Sequence, residues 1–147
     1  GRAPAFPRGA ARRGNAAMMD LRKSILVVDD SSIMRRLVRE IVESDPDFHV
    51  IDTAENGKVA LQKVRLHKPD CILLDIEMPE MNGLELIRQL RRSGDTTPIL
   101  VYSSLPDQGL PLGMGANGSF SKALGLTELL NEVRTLMAAS RSSEDQT

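Results

Sequence analysis

From residue 25 to residue 137 short apolar runs alternate with longer stretches in which apolar residues recur every three or four positions. Ile25-Leu26-Val27-Val28 is a continuous β-branched run ending in two aspartates, the pattern of a strand buried on both faces of a parallel sheet. Ile33, Leu37, Val38, Ile41 and Val42 then repeat at helical spacing, with Ser31 or Ser32 as N-cap and Pro46 closing the helix. His49 to Ala54 reads as a second strand. Asn56-Gly57 turns into a helix with Val59, Ala60, Leu61 and Val64 on its inner face, which Pro69 stops. Cys71-Ile72-Leu73-Leu74 is the third strand, again ending in an aspartate. After a loop with Pro79 and Gly83 comes a helix carrying Leu84, Ile87 and Leu90; Pro98 then opens a fourth strand, Ile99 to Tyr102, followed by Ser103-Ser104.

The stretch Leu105–Gly118 has two prolines and four glycines in fourteen residues, so only a weak, irregular fourth helix is expected there. Ser119 to Ser121 is a short fifth strand, and Leu126, Leu129, Leu130, Val133, Leu136 and Met137 form a closing amphipathic helix. Five strands alternating with helices predict an α/β domain built on a doubly wound five-stranded parallel sheet. The expected organisation is a disordered N-terminal extension at 1–21, the domain at 22–139 and a disordered polar tail at 140–147. The extension is rich in Arg and Ala and lacks acids before Met18 and Met19. Without an apolar stripe it reads as an extension rather than an organellar targeting segment.

Composition narrows the function. Nineteen basic side chains nearly cancel twenty acidic ones, which argues against binding nucleic acid or a membrane surface through bulk charge. Three Phe, one Tyr and no Trp leave little for base- or flavin-stacking pockets. The single cysteine, Cys71, excludes an intrachain disulfide and suits a reducing compartment; with no apolar run near the ~20 residues of a membrane span, a cytoplasmic location is expected.

Candidate chemistry lies at the carboxyl ends of the predicted strands, where parallel sheets bind ligands at a switch in strand order. Strand one ends in Asp29-Asp30, strand three in Asp75 and strand four in Ser103, and Lys122 follows strand five. Parallel alignment brings these ends to one rim. Three carboxylates together repel one another, and a hard divalent cation such as Mg²⁺ relieves this. One carboxylate, Asp75, can then act as a nucleophile toward phosphorus, with Lys122 and the Ser103 hydroxyl stabilising phosphoryl oxygens. Taken singly, each residue also fits a turn or cap; their joint occurrence at successive strand ends is what points to a site.

At these residues the sequence resembles the receiver domain of two-component response regulators, which have a flavodoxin-like fold. The resemblance rests on Ile25 to Ser31, on the run Leu73-Leu74-Asp75-Ile76-Glu77-Met78-Pro79-Glu80-Met81-Asn82-Gly83-Leu84-Glu85, and on Pro98 to Ser104 and Gly115 to Lys122. It spans roughly residues 22–139. Asp29 to Arg36 and Glu77-Met78-Pro79 look most like chemotaxis receivers, including the one fused to methylesterases. The resemblance implies that Asp75 is the phosphoacceptor and that Asp30 binds Mg²⁺ directly and Asp29 through water. It further implies a Glu77 backbone carbonyl ligand, a switch hydroxyl at Ser103 and its cationic partner at Lys122. It also implies a histidine kinase or histidine phosphotransfer domain as phosphodonor and a downstream protein as target, with no enzymatic activity beyond the domain's own phosphorylation and dephosphorylation.

Three departures stand out. The proline that usually follows the lysine is Ala123; a non-proline cis bond costs ~2.5–4 kcal/mol, so this bond is expected to be trans or strained. The aromatic usually three residues before the lysine is Ser119, with Phe120 one place later. The fourth-helix segment is Gly- and Pro-rich. These keep a phosphorylation-independent pseudo-receiver as an alternative. A haloacid-dehalogenase-like phosphatase would need an aspartate where Glu77 stands, and Asp29-Asp30 would repel the phosphate of a flavodoxin-like FMN carrier. The polar C-terminal segment favours a stand-alone receiver over the regulatory fragment of a larger chemotaxis protein.

Overall fold

The computed structural model describes residues 21–78, 82–104 and 109–145. The extension expected at 1–21 therefore lies outside the described residues apart from Leu21, as do Pro79 and Met81. The elements in chain order are β1 (Lys23–Val28), α1 (Ser32–Glu43), β2 (Phe48–Ala54), α2 (Gly57–His67), β3 (Cys71–Asp75) and α3 (Gly83–Arg92). β4 (Ile99–Ser103), α4 (Gly109–Gly113), β5 (Gly118–Ser121), a 3₁₀ turn (Lys122–Leu124) and α5 (Thr127–Asp145) follow. The five strands make one parallel sheet in the order β2-β1-β3-β4-β5.

The inner strands carry continuous apolar runs (Ile25–Val28, Cys71–Leu74, Ile99–Val101) because both faces of the sheet are covered. On one face Ile25, Val27, Leu73 and Phe120 pack with Val38 of α1 and Val133 of α5. On the other Leu26, Ile72, Leu74 and Val101 meet Val64 of α2 and Leu86 of α3. Each Leu or Ile at 0% exposure contributes about 1.5–3 kcal/mol relative to an exposed one. Side-chain caps start three helices. Ser31 Oγ accepts from Met34 N–H (3.2 Å), Asn56 Oδ1 from Val59 N–H (2.8 Å) and Asn82 Oδ1 from Glu85 N–H (3.0 Å). At the outer strand β2, Glu43 Oε2 accepts from Val50 N–H (2.9 Å) and Lys63 Nζ donates to the Thr53 carbonyl (2.6 Å).

Two expectations are refined and one is corrected. The weak fourth helix is a helix of five residues, as the Gly and Pro content demands. The peptide bond between Lys122 and Ala123 is trans, there being no cis bond among the described residues. The polar segment expected as a disordered tail at 140–147 instead enters α5, which runs to Asp145. No Gly or Pro interrupts the sequence after Gly125, and Ala138-Ala139 carry the highest helix propensity across the junction.

Gly83, expected in the loop, is the first residue of α3. A Cβ there would lie 2.6 Å from Ile76 Cα and 3.0 Å from the Asp75 carbonyl oxygen. The helix start thus presses on the backbone leaving Asp75, and only glycine permits this approach. Gly83→Ala is expected to lower stability by about 1–3 kcal/mol in urea unfolding; an unchanged midpoint would mean that this contact relaxes without cost.

Candidate metal centre

The strand order reverses between β1 and β3, and three aspartates meet at that reversal. Asp29 and Asp30 follow β1 directly, and Asp75 is the last residue of β3. Asp29 is 1% and Asp75 3% exposed, while Asp30 faces solvent. One carboxylate oxygen from each lies within 4.8 Å of the others, a spacing that could hold a metal ion. Three anionic oxygen donors suit a hard cation of the Mg²⁺ or Ca²⁺ type rather than a thiophilic one.

Each carboxylate has a different environment. Asp29 Oδ1 accepts from the Ser31 backbone N–H at 2.9 Å, and Oδ2 accepts from the Tyr102 hydroxyl at 2.7 Å. The Asp29 carbonyl accepts from the Arg35 guanidinium at 2.7 Å, which ties the β1–α1 loop to the first turn of α1. Asp75 Oδ1 accepts from the Glu77 backbone N–H at 2.9 Å. Burial pushes the Asp75 carboxyl up to about 6, with Asp29 and Glu77 adding to the rise and the Glu77 N–H bond and Lys122 opposing it. Burial and the adjoining Asp29 likewise hold the Tyr102 hydroxyl well above its ordinary pKa, so it is a proton donor at neutral pH.

Lys122 enters from the 3₁₀ turn after β5. Its Nζ is 3.8 Å from Asp75 Oδ2, 3.7 Å from Glu77 Oε1 and 5.4 Å from the centre of the Tyr102 ring. The Glu77 carboxylate also accepts from Ser104 N–H (3.1 Å) and Ser104 Oγ (2.8 Å to Oε2). Burial works to raise the Glu77 pKa, but the Ser104 bonds and Lys122 outweigh it and hold it low. Ser103 is buried at the end of β4, opposite Ser121 of β5.

The predicted rim residues Asp29, Asp30, Asp75, Glu77, Ser103 and Lys122 therefore all lie at the carboxyl ends of β1, β3, β4 and β5. Tyr102 and Ser104 were not foreseen. Tyr102 reads as one more apolar residue of a buried strand; the available signal is that a fully buried tyrosine must find a partner for its hydroxyl. Ser104 reads only as a turn former. The displaced aromatic, Phe120, is 2% exposed in the core, and Ser119 Oγ is buried with no hydrogen-bond partner among the described residues. His67, the last residue of α2, pairs with Asp52 at 3.0 Å.

Comparisons with known proteins agree with this architecture. The family model for the response regulator receiver domain matches residues 25–134. A protein-glutamate methylesterase/protein-glutamine glutaminase from Nocardioides sp. is 45% identical over 95 residues, covering 65% of this chain and 26% of the relative. The protein of the same name from Treponema denticola is 43% identical over 97 residues, covering 66% of this chain and 26% of the relative. The chain thus spans about a quarter of the length of these relatives. Among solved structures, the response regulator domain of Thermotoga maritima CheB superimposes with a TM-score of 0.73 at 33% identity, over 80% of this chain and 97% of that one. With a reversed strand order, an acidic rim at the reversal and a family match across most of its length, the chain belongs to the response regulator receiver domain family.

Proposed function

We propose that this receiver domain accepts a phosphoryl group on Asp75 from a histidine kinase or histidine phosphotransfer domain, with Mg²⁺ bound by Asp29, Asp30, Asp75 and the Glu77 backbone carbonyl. The observation that carries this reading is the convergence of three carboxylates with Lys122 3.8 Å from Asp75. An Asp75 carboxylate oxygen forms the new P–O bond as the P–N bond of the donor phosphohistidine breaks. The imidazole leaves with the bonding pair and takes up a proton. The bound cation supplies charge compensation on the phosphoryl oxygens. Lys122 holds a second positive charge against them, and Ser103 offers a hydroxyl. The phosphorylated domain then binds its target with altered affinity, a shift between two conformations.

The relatives favour one of the two arrangements considered above: the regulatory segment of a methylesterase-type chemotaxis protein, whose effector is the methylesterase domain. Among the described residues no helix is long and apolar enough to cross a membrane. An added phosphoryl mass on the wild type after incubation with Mg²⁺ and a small-molecule phosphodonor, and none on Asp75→Ala, is the expected result. No addition to the folded wild type would favour the pseudo-receiver.

Glu77 sits two residues past Asp75, where its carboxylate opposes an approaching hydrolytic water. Glu77→Asn is expected to lose its phosphoryl group faster than the wild type in a mass-based decay assay, and equal rates would remove that role. The pH dependence follows from Asp75. A carboxyl raised to about 6 in the fold binds protons more tightly folded than unfolded. Its contribution to stability is therefore greatest below pH ~4 and declines as the pH rises through about 6. Without divalent cations, Asp75→Asn should be more stable than the wild type at pH 8 by about 2–3 kcal/mol, with the two converging near pH 4, in urea melts across that range.

A further inference from the structure

Tyr102 lies one residue before Ser103 on the central strand β4 and is 0% exposed. It is the sole tyrosine of a chain without tryptophan. Its ring belongs to the core cluster that includes Val27 and Leu73, and a phenylalanine would satisfy that packing equally. The hydroxyl is what phenylalanine lacks, and it donates to Asp29 Oδ2 at 2.7 Å, across 73 residues of sequence. The other Asp29 oxygen is held by the Ser31 N–H. Two donors on opposite oxygens fix the carboxylate plane, where a single donor leaves it free to turn about the Cβ–Cγ bond. Asp30, in contrast, is exposed. Of the three carboxylates, Asp29 is thus oriented in advance.

We propose that Tyr102 is a positioning residue for the cation: its hydroxyl holds the Asp29 carboxylate in the orientation in which it faces Asp30 and Asp75, and thereby raises the affinity of the acidic rim for a divalent ion. The proposal rests on the reading of these three aspartates as cation ligands. Groups outside the ligand set that orient ligands typically change metal affinity by about 10–100-fold when removed. The bond also ties the cation site to β4, the strand that carries Ser103, so the ion and the end of that strand share one mechanical link.

The test uses the full chain and Mn²⁺ as the probe, with free Mn²⁺ read by electron paramagnetic resonance. Tyr102→Phe is expected to bind Mn²⁺ about 10–100-fold more weakly than the wild type. Equal or tighter binding overturns the proposal, and does so even if Tyr102→Phe is less stable in urea, since the bond would then be structural only. If the wild type itself binds no Mn²⁺, the cation reading fails and takes this inference with it. A second measurement needs no variant, because the one tyrosine reports its own hydrogen bond. Tyrosine emission is quenched by a carboxylate acceptor, so loss of the bond to Asp29 would raise it. Because the hydroxyl holds Asp29 in the orientation that binds, the bond is kept in the loaded state and wild-type emission is expected to stay flat as Mg²⁺ saturates the site; a rise along the binding curve would mean that the ion breaks the bond, and overturns the proposal.

Discussion

Negative charge is crowded at the carboxyl rim of the sheet, and most of the local structure answers that crowding. Asp29 and Asp75 are withdrawn from water beside one another. Burial of unpaired carboxylates is costly unless hydrogen bonds or opposite charges meet them. Asp29 is met by two neutral donors, Ser31 N–H and the Tyr102 hydroxyl. Asp75 receives one backbone donor and a distant ammonium, and the shortfall appears as a carboxyl that holds its proton up to about 6. The fold makes this arrangement unavoidable. Parallel strands deliver their ends to one side, and the reversal between β1 and β3 brings the two acidic ends together.

One ammonium serves two acids. Lys122 stands 3.7 Å from Glu77 and 3.8 Å from Asp75, so neither carboxylate holds it alone. Glu77 takes the rest of its neutralisation from Ser104, the residue immediately after β4. The result is a continuous polar chain from β3 through Glu77 to the exit of β4, with Lys122 of the β5 turn as its third anchor. Under the proposed function, a phosphoryl group on Asp75 would compete with Glu77 for the same ammonium, and Ser104 is the residue that would feel the change.

Much of this was legible in the sequence, for identifiable reasons. Fully apolar strands of four to seven residues are unambiguous when Pro and Gly punctuate them, as around Ile25–Val28 and Cys71–Leu74. Asp29, Asp75 and Ser103 each directly follow or end such a run, so the topology alone gathers them at one rim. What the pattern left out depends on distant partners. The Tyr102 hydroxyl finds Asp29 across 73 positions, and no local periodicity encodes that pairing. Gly83 looked like a loop residue because glycine usually breaks helices; its place at the start of α3 is set by the Ile76 backbone it touches. The length of α5 past Ser140 is not legible from polarity, because a polar run suits a helix as well as a tail.

The two side chains that cover the outer strand have a bearing on association. An edge strand offers unpaired amide and carbonyl groups to any extended chain it meets. Here Glu43 occupies the Val50 amide and Lys63 occupies the Thr53 carbonyl, with Asp52 also held by Lys63 and His67. Strand addition at β2 would first have to displace a charged group at each of these points. Backbone-mediated polymerisation along that flank is thereby opposed at these two points, since each would have to give up a charge-assisted bond.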